Sequence, residues 1–291
     1  MRQKSNILTR LSKRSQTKQR SVSVLGNIAI VNFHDNFKLS DKRKFAKKIL
    51  KENKAVTTVL EKSGKFKGRL RKMKTKHLAG EKTKEVLYRE NGCVFRFNVD
   101  TTYFSPRLSN ERKEIADKIK KNEKVLVMFA GVAPFSIVIG KNSKAKKIYS
   151  NEINREANKY AKLNVERNNL KNKVEIVPGD VKKAVKSSVS TQGRTPKNSF
   201  QEFLQRAKFD VIVMPRPRLK DSFLEQAFML SKKKTRIYYY DFCKVGEEDL
   251  IVEKIKQEAS HAKKKIKILK IKHAGEIAPY KVRVRVDFKV N

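Results

Sequence analysis

Along residues 93–99 the side chains alternate strictly, with Cys93, Phe95, Phe97 and Val99 on one side and Val94, Arg96 and Asn98 on the other. A period of two predicts a strand with one apolar face. Between Asp41 and Lys51 the spacing is helical instead, with Phe45, Ile49 and Leu50 on one face. Strands are also predicted over 22–31, 56–60 and 85–89, so residues 22–100 read as a small α+β domain. From about residue 101 the rhythm changes. Helix 109–121 leads into strand 124–129, helix 134–141, strand 146–151, helix 154–168 and strand 173–178. Strand 209–214, helix 220–232, strand 235–241 and helix 247–260 continue the series. Strands alternating with helices in this way predict a doubly wound, mainly parallel α/β sheet over residues 101–291. The last two strands, 265–273 and 281–290, have no helix between them and predict a terminal antiparallel hairpin.

Charge changes the picture more than composition does. Apolar residues make up 38% of the 291, enough for a core, while 71 Lys and Arg stand against 29 Asp and Glu for a net +42. An excess of that size exceeds what solubility requires and points to a polyanion, nucleic acid before an acidic membrane surface. Residues 1–21 read as a flexible basic tail: seven of the first twenty residues are Lys or Arg, and no apolar stretch makes them a secretory signal. Residues 182–200 are rich in Ser, Thr and Lys and read as a mobile surface loop, either touching RNA phosphates or simply solvated. The longest uncharged run, Val125 to Gly140, is too short to span a bilayer and is interrupted by Gly131 and Pro134. Two distant cysteines and four scattered histidines exclude a disulfide framework and give no metal-ligand spacing. A reducing compartment and a cytoplasmic location are expected, with no metal, no membrane association and no obligatory protein partner.

In open α/β sheets a ligand sits beyond the carboxyl ends of the strands, near the point where strand order reverses. Three predicted strand ends carry suitable groups. The first is Phe129-Ala130-Gly131-Val132-Ala133-Pro134, small enough for close backbone approach. The second ends at Glu152, followed by Asn154; an acid there accepts hydrogen bonds from a ribose diol, or else simply starts a helix. The third ends at Pro178-Gly179-Asp180, where Asp180 either accepts from an adenine amine or caps a helix. Taken together, the three ends point to an adenosyl cofactor.

Longer motifs sharpen this. Tyr103-Phe104-Ser105-Pro106-Arg107-Leu108-Ser109-Asn110-Glu111-Arg112 resembles a signature of the archaeal-type tRNA guanine-37 N1-methyltransferases, and Met128-Phe129-Ala130-Gly131-Val132-Ala133-Pro134-Phe135-Ser136 resembles another. His77-Leu78-Ala79-Gly80-Glu81, Tyr239-Tyr240-Asp241-Phe242 and Ala278-Pro279-Tyr280 follow the same family in collinear order from about Val22 onward. The resemblance implies a Rossmann-like class I methyltransferase domain using S-adenosylmethionine, with the tRNA anticodon stem-loop as partner. It implies Glu111 as the general base for guanine N1 and Arg71 as the cation near O6. It further implies that Arg112 helps hold the site and Tyr103 lines a pocket. Phe129, Ala130, Gly131, Val132, Glu152, Asn154, Asp180 and Met214 are the expected cofactor contacts. A first-turn Glu is also an ordinary helix opener, so without its flanking signature Glu111 would be read that way.

On the target side, Arg107 and the loop Pro215-Arg216-Pro217-Arg218 are the expected contacts. The two prolines stiffen the loop, and its arginines either reach phosphate or a base edge or remain solvated. Three departures from the family stand out. Val127 replaces an acid before the Met-Phe-Ala-Gly motif, Pro215 replaces an asparagine, and only the basic tail precedes Val22, so inspection of distant tRNA features is expected to be absent or replaced by charge. Other readings are an aminocarboxypropyl transferase of wybutosine synthesis, a ribosomal RNA methyltransferase, and a non-catalytic basic RNA-binding protein on the same scaffold.

Overall fold

The structure, a computed structural model, describes residues 20–33, 37–64, 68, 70, 72–186 and 207–291. The expected basic tail lies outside these residues except at its end. So does most of the 182–200 loop, whose first residues continue a helix, Val181–Lys186. The chain divides into two compact units, one formed by residues up to 65 with 73–84, the other by 66–72 with 85–291.

The first unit is a four-stranded sheet in the order β1 (Arg20–Leu25), β2 (Ile28–Phe33), β3 (Thr58–Lys62), β4 (Thr75–Gly80). The single strand expected over 22–31 is in fact a hairpin. Gly26 (φ +54°) and Asn27 turn the chain between β1 and β2, which pair antiparallel. Helix α1 (Leu39–Glu52) carries the chain from β2 to the parallel strand β3, and Phe45, Ala46, Ile49 and Leu50 pack with Ala29, Val31, Val59 and Leu78. Gly80 is confined to glycine: its φ is +83°, and a Cβ would lie 2.1 Å from the Thr57 carbonyl oxygen.

The second unit is built on a seven-stranded sheet. Its order is β12 (Ile266–Ala278), β13 (Lys281–Val290), β11 (Ser231–Lys244), β10 (Phe209–Met214), β7 (Lys124–Met128), β8 (Lys147–Glu152), β9 (Val174–Pro178). Strands β7 to β11 run parallel, while β13 and β12 close one edge antiparallel, which is the terminal hairpin expected from the sequence. From β7 the chain builds outward to β8 and β9, then returns to add β10 and β11 on the other side. The switch point therefore lies at the end of β7, where a ligand crevice belongs. The helices of this unit are α2 (Ser109–Asp117), α3 (Pro134–Asn142), α4 (Arg155–Arg167), α5 (Val181–Lys186), α6 (Leu224–Met229) and α7 (Glu248–His261).

The hairpin β5 (Glu85–Glu90) and β6 (Cys93–Asn98) was expected in the small domain, yet it clusters with the larger unit. Two asparagines, Asn164 in α4 and Asn168 at its C-cap, explain why. The Asn164 side chain accepts from Arg96 N (2.7 Å) and donates to Arg96 O (3.0 Å); Asn168 does the same for Val94 N (2.9 Å) and Val94 O (2.7 Å). Their amides take the place of a neighbouring strand along β6, and such pairing cannot be read from periodicity. On the apolar side of the hairpin, Phe104 stacks on Phe97 with ring centroids 4.7 Å apart, and meets Tyr88 at 4.9 Å.

Candidate active site

A cleft opens at the carboxyl ends of β7, β8 and β10, and its two ends differ in character. One end is lined by Tyr103, Phe129, Ala130, Gly131, Asn151, Glu152, Ile153, Asn154, Gly179 and Asp180. The loop after β7 bends tightly there, with Phe129 (φ +56°), Gly131 (φ +58°) and Ala133 (φ +66°) all left-handed. It is braced by Glu152, which accepts from Gly131 N and from Asn154 N, each at 2.8 Å. Ala130 N donates to Asn151 O (2.9 Å), and Asn151 Nδ2 reaches the carbonyls of Val177 and Gly179 (3.0 and 3.1 Å). Asn154 caps α4 by accepting from Glu156 N (3.1 Å) and ties Thr101 O to the same corner (2.9 Å). Asp180 accepts from Lys182 N (3.0 Å) at the start of α5. A Cβ at Gly131 would meet the Tyr103 carbonyl oxygen at an ordinary contact distance of 3.4 Å, so it is the left-handed φ of +58° that favours glycine here.

These residues fit an adenosyl group: small backbone-lined positions for close approach, apolar Ile153 and Val181 for a flat ring, and acids at two adjacent strand ends. Two expected cofactor contacts do not line the cleft. Val132 and Met214 are fully buried; Met214 belongs to the core beneath the sheet, and the Val132 carbonyl accepts from Asn164 Nδ2 (3.2 Å).

The other end is lined by Phe104, Ser105, Leu108, Arg112, Phe135, Pro215, Arg216, Pro217, Tyr240, Phe242 and Arg283. Arg112 is 1% exposed and makes a fork to the Glu90 carboxylate, with Nη2 to Oε2 at 2.6 Å. Its Nη2 also donates to Ser105 O (3.0 Å), and the guanidinium lies over the rings of Phe104 and Phe135. It clamps the Tyr103–Leu108 segment to β5. Arg216 does not point outward as a phosphate contact would. Only 2% exposed, it bonds Asp241 and the carbonyls of Leu219 (2.6 Å) and Asp221 (2.5 Å), because a cation beneath two prolines satisfies the carbonyls of the tight turn it sits in. Arg107 and Arg218 are exposed and lie off the cleft surface. Arg71 lies outside the described residues.

Glu111, in the first turn of α2, sits just outside the cleft lining, where its carboxylate accepts from the hydroxyl of the wall residue Tyr240. It is 4% exposed and joins a cluster that sequence inspection did not single out. Its Oε2 accepts from Tyr240 Oη (3.0 Å) and Arg285 Nη1 (2.5 Å); its Oε1 accepts from Lys272 Nζ (2.8 Å). Arg285, fully buried on β13, also bonds Asp287 through Nε (2.7 Å) and Glu114 through Nη2 (2.6 Å). The bond from Arg285, with help from Lys272, holds the Glu114 carboxyl down at about 2. Burial pushes Asp287 upward despite its guanidinium partner, and burial together with the Glu111 charge raises the Tyr240 phenol well above its ordinary value. Among the described residues no cluster of three or more His, Cys, Asp or Glu could hold a metal ion, and no helix is long and apolar enough to cross a membrane.

A doubly wound sheet with a terminal hairpin, a glycine turn after its first strand and acids at the next two strand ends defines the Rossmann-like fold of the class I methyltransferases. Residues 86–195 match the TRM5/TYW2 methyltransferase domain and residues 6–83 the TYW2 N-terminal domain. The chain is 34% identical to the tRNA (guanine(37)-N(1))/4-demethylwyosine(37)-methyltransferase Taw22 of Nanoarchaeum equitans, over 92% of this chain and 98% of that protein. It is also similar to the tRNA (guanine(37)-N(1))-methyltransferase Trm5b of Pyrococcus abyssi, whose crystal structure superposes with a TM-score of 0.77 at 30% identity, covering 93% of this chain and 75% of the other. A complex of aTrm5 with tRNALeu superposes at 0.75 with 26% identity, covering 99% of this chain and 76% of the other. The chain belongs to the TRM5/TYW2 methyltransferase family, and it is a methyltransferase enzyme of tRNA modification.

Proposed function

We propose that the chain transfers a methyl group from S-adenosylmethionine to N1 of guanine 37 in the anticodon stem-loop of tRNA. The observation that carries this reading is the placement of Glu111: a nearly buried, strongly held carboxylate beside the target end of a cleft whose other end fits an adenosyl group. When bound, the cofactor supplies an electrophilic methyl on a sulfonium. Glu152 would hold the ribose hydroxyls, Asp180 would take the adenine amine, and the Phe129–Gly131 turn would let the backbone close on the ligand. Arg112 keeps the Tyr103–Leu108 wall in place through Glu90 and Ser105 O. Guanine N1 carries a proton at neutral pH, so a positioned acceptor must remove it as the methyl arrives, and Glu111 performs that step. The net charge of +42 supplies sequence-independent attraction to the RNA backbone, while the stiff Pro215–Pro217 turn, held from beneath by Arg216, shapes the entrance for the base. A cytoplasmic location accords with two unpaired cysteines.

A second reading is methylation of 4-demethylwyosine at the same position, favoured by the two activities in the name of the Nanoarchaeum relative. Two labelled cofactors separate the chemistries, one carrying label in the methyl group and one in the carboxyl carbon. Methyl label entering an unmodified guanine-37 transcript supports the first reading. Carboxyl label entering a tRNA instead identifies an aminocarboxypropyl transferase. Methyl label entering only tRNA that already carries 4-demethylwyosine supports the second reading.

A further inference from the structure

We infer that Arg285 is the positioning residue for Glu111: it pins the carboxylate through Oε2, the oxygen that also accepts from the cleft-wall hydroxyl of Tyr240. This rests on the base role proposed for Glu111. Arg285 is fully buried in the middle of β13, a strand flanked by β12 and β11. Its fork is fixed first by Asp287, which accepts from Nε at 2.7 Å and Nη2 at 3.2 Å, and then by Glu114, which accepts from Nη2 at 2.6 Å. With Nε and Nη2 engaged, the donors of Nη1 remain, and Glu111 Oε2 lies 2.5 Å from that nitrogen. Tyr240 donates to the same oxygen at 3.0 Å. A carboxylate oxygen accepts about two hydrogen bonds, so Oε2 is filled by groups that are themselves fully buried. Oε1 accepts from Lys272 at 2.8 Å, its one partner among the described residues, and the Lys272 side chain is 35% exposed. The carboxylate is therefore held at Oε2 by buried groups of β11 and β13 and at Oε1 by a half-buried lysine of β12, which fixes its position behind the cleft wall.

Stability alone does not account for the arrangement. One guanidinium among three carboxylates is expensive to bury, and apolar side chains of similar volume usually serve a core as well. What the cluster supplies is direction. A general base displaced by about 1 Å loses on the order of a hundredfold in rate.

The test uses the full chain, saturating S-adenosylmethionine and a guanine-37 tRNA transcript, and compares single-turnover rates of wild type, Arg285→Lys, Glu111→Gln and the double variant. Lysine keeps the charge and loses the fork. The expected result is a loss of about a hundredfold for Arg285→Lys, with tRNA and cofactor affinities within about twofold of wild type. Added to Glu111→Gln, the same change should lower the rate by less than about threefold, since its effect passes through Glu111. A folded Arg285→Lys with a near wild-type rate overturns the inference, as does an equal loss in both backgrounds. A wild-type rate for Glu111→Gln removes the base reading itself. Should Arg285→Lys not fold, Asp287→Asn loosens the fork from its other side; a loss of about tenfold that vanishes in the Glu111→Gln background is expected, and a wild-type rate is the contrary result.

Discussion

Replacing Glu90 by Gln removes the partner of the most deeply buried cation in the cleft wall. The side chains of Arg112 and Glu90 are 1% and 3% exposed. Glutamine removes the negative charge and one of the two acceptors, leaving the guanidinium an amide oxygen, the Ser105 carbonyl at 3.0 Å and the ring faces of Phe104 and Phe135 at 5.1 and 5.7 Å. Breaking a buried pair from one side typically costs about 3–5 kcal/mol, because the remaining charge stays desolvated. In a unit of this size each kcal/mol moves the midpoint by about 2–4 °C, so Tm should fall by about 6–20 °C in a circular dichroism melt. The paired change Glu90→Leu with Arg112→Met should recover most of that stability, since no charge remains buried. It should not recover activity, because the Tyr103–Leu108 wall has lost its clamp. A Tm loss below about 2 °C for Glu90→Gln would show that water reaches the pair and would refute its description as a buried anchor. Full activity in the paired variant would refute the clamp.

Other consequences can be checked separately. Glu152→Gln should weaken S-adenosylmethionine binding by about 10–100-fold in calorimetry, the worth of hydrogen bonds to a charged acceptor; an unchanged affinity would confine Glu152 to bracing the Gly131 turn. Gly131→Ala places a side chain at φ +58°, so a Tm loss of about 2–4 °C with weaker cofactor binding is expected, and wild-type values for both would contradict the need for glycine in this turn. The Glu114 carboxyl is lowered in the folded state, from an ordinary 4.5 to about 2. Its contribution to stability is therefore present above pH about 4.5 and is lost as pH falls through about 2. Glu114→Gln should flatten the acid limb of urea stability in that window, and an unaltered limb would count against the Arg285 bond.

The alternation of strands and helices from residue 101 was legible because each element carries its own apolar period. Strand β4 was not: in Thr75–Gly80 only Thr75 and Leu78 are buried, so no period shows. The allegiance of the β5–β6 hairpin was hidden as well, since it depends on Asn164 and Asn168, polar residues on a distant helix that read as solvent-facing. At the site, the glycine turn, Glu152 and Asp180 came from the logic of strand ends, whereas Glu111 came only from its flanking signature. Arg285 escaped both routes. In Lys281-Val282-Arg283-Val284-Arg285 the arginines fall on what looks like a polar face, yet Arg285 is fully buried because Glu111 and Glu114 of α2 lie over it. Arg216 misled for the related reason that a loop arginine between prolines looks exposed, while the turn's own carbonyls draw it inward.

The most direct test of the central claim is methyl transfer from labelled S-adenosylmethionine to two tRNA transcripts that differ only in guanine or adenine at position 37, with the modified nucleoside mapped after digestion. The account predicts label on the guanine transcript alone, at N1. Equal label on both transcripts, or label at another atom or position, would contradict it.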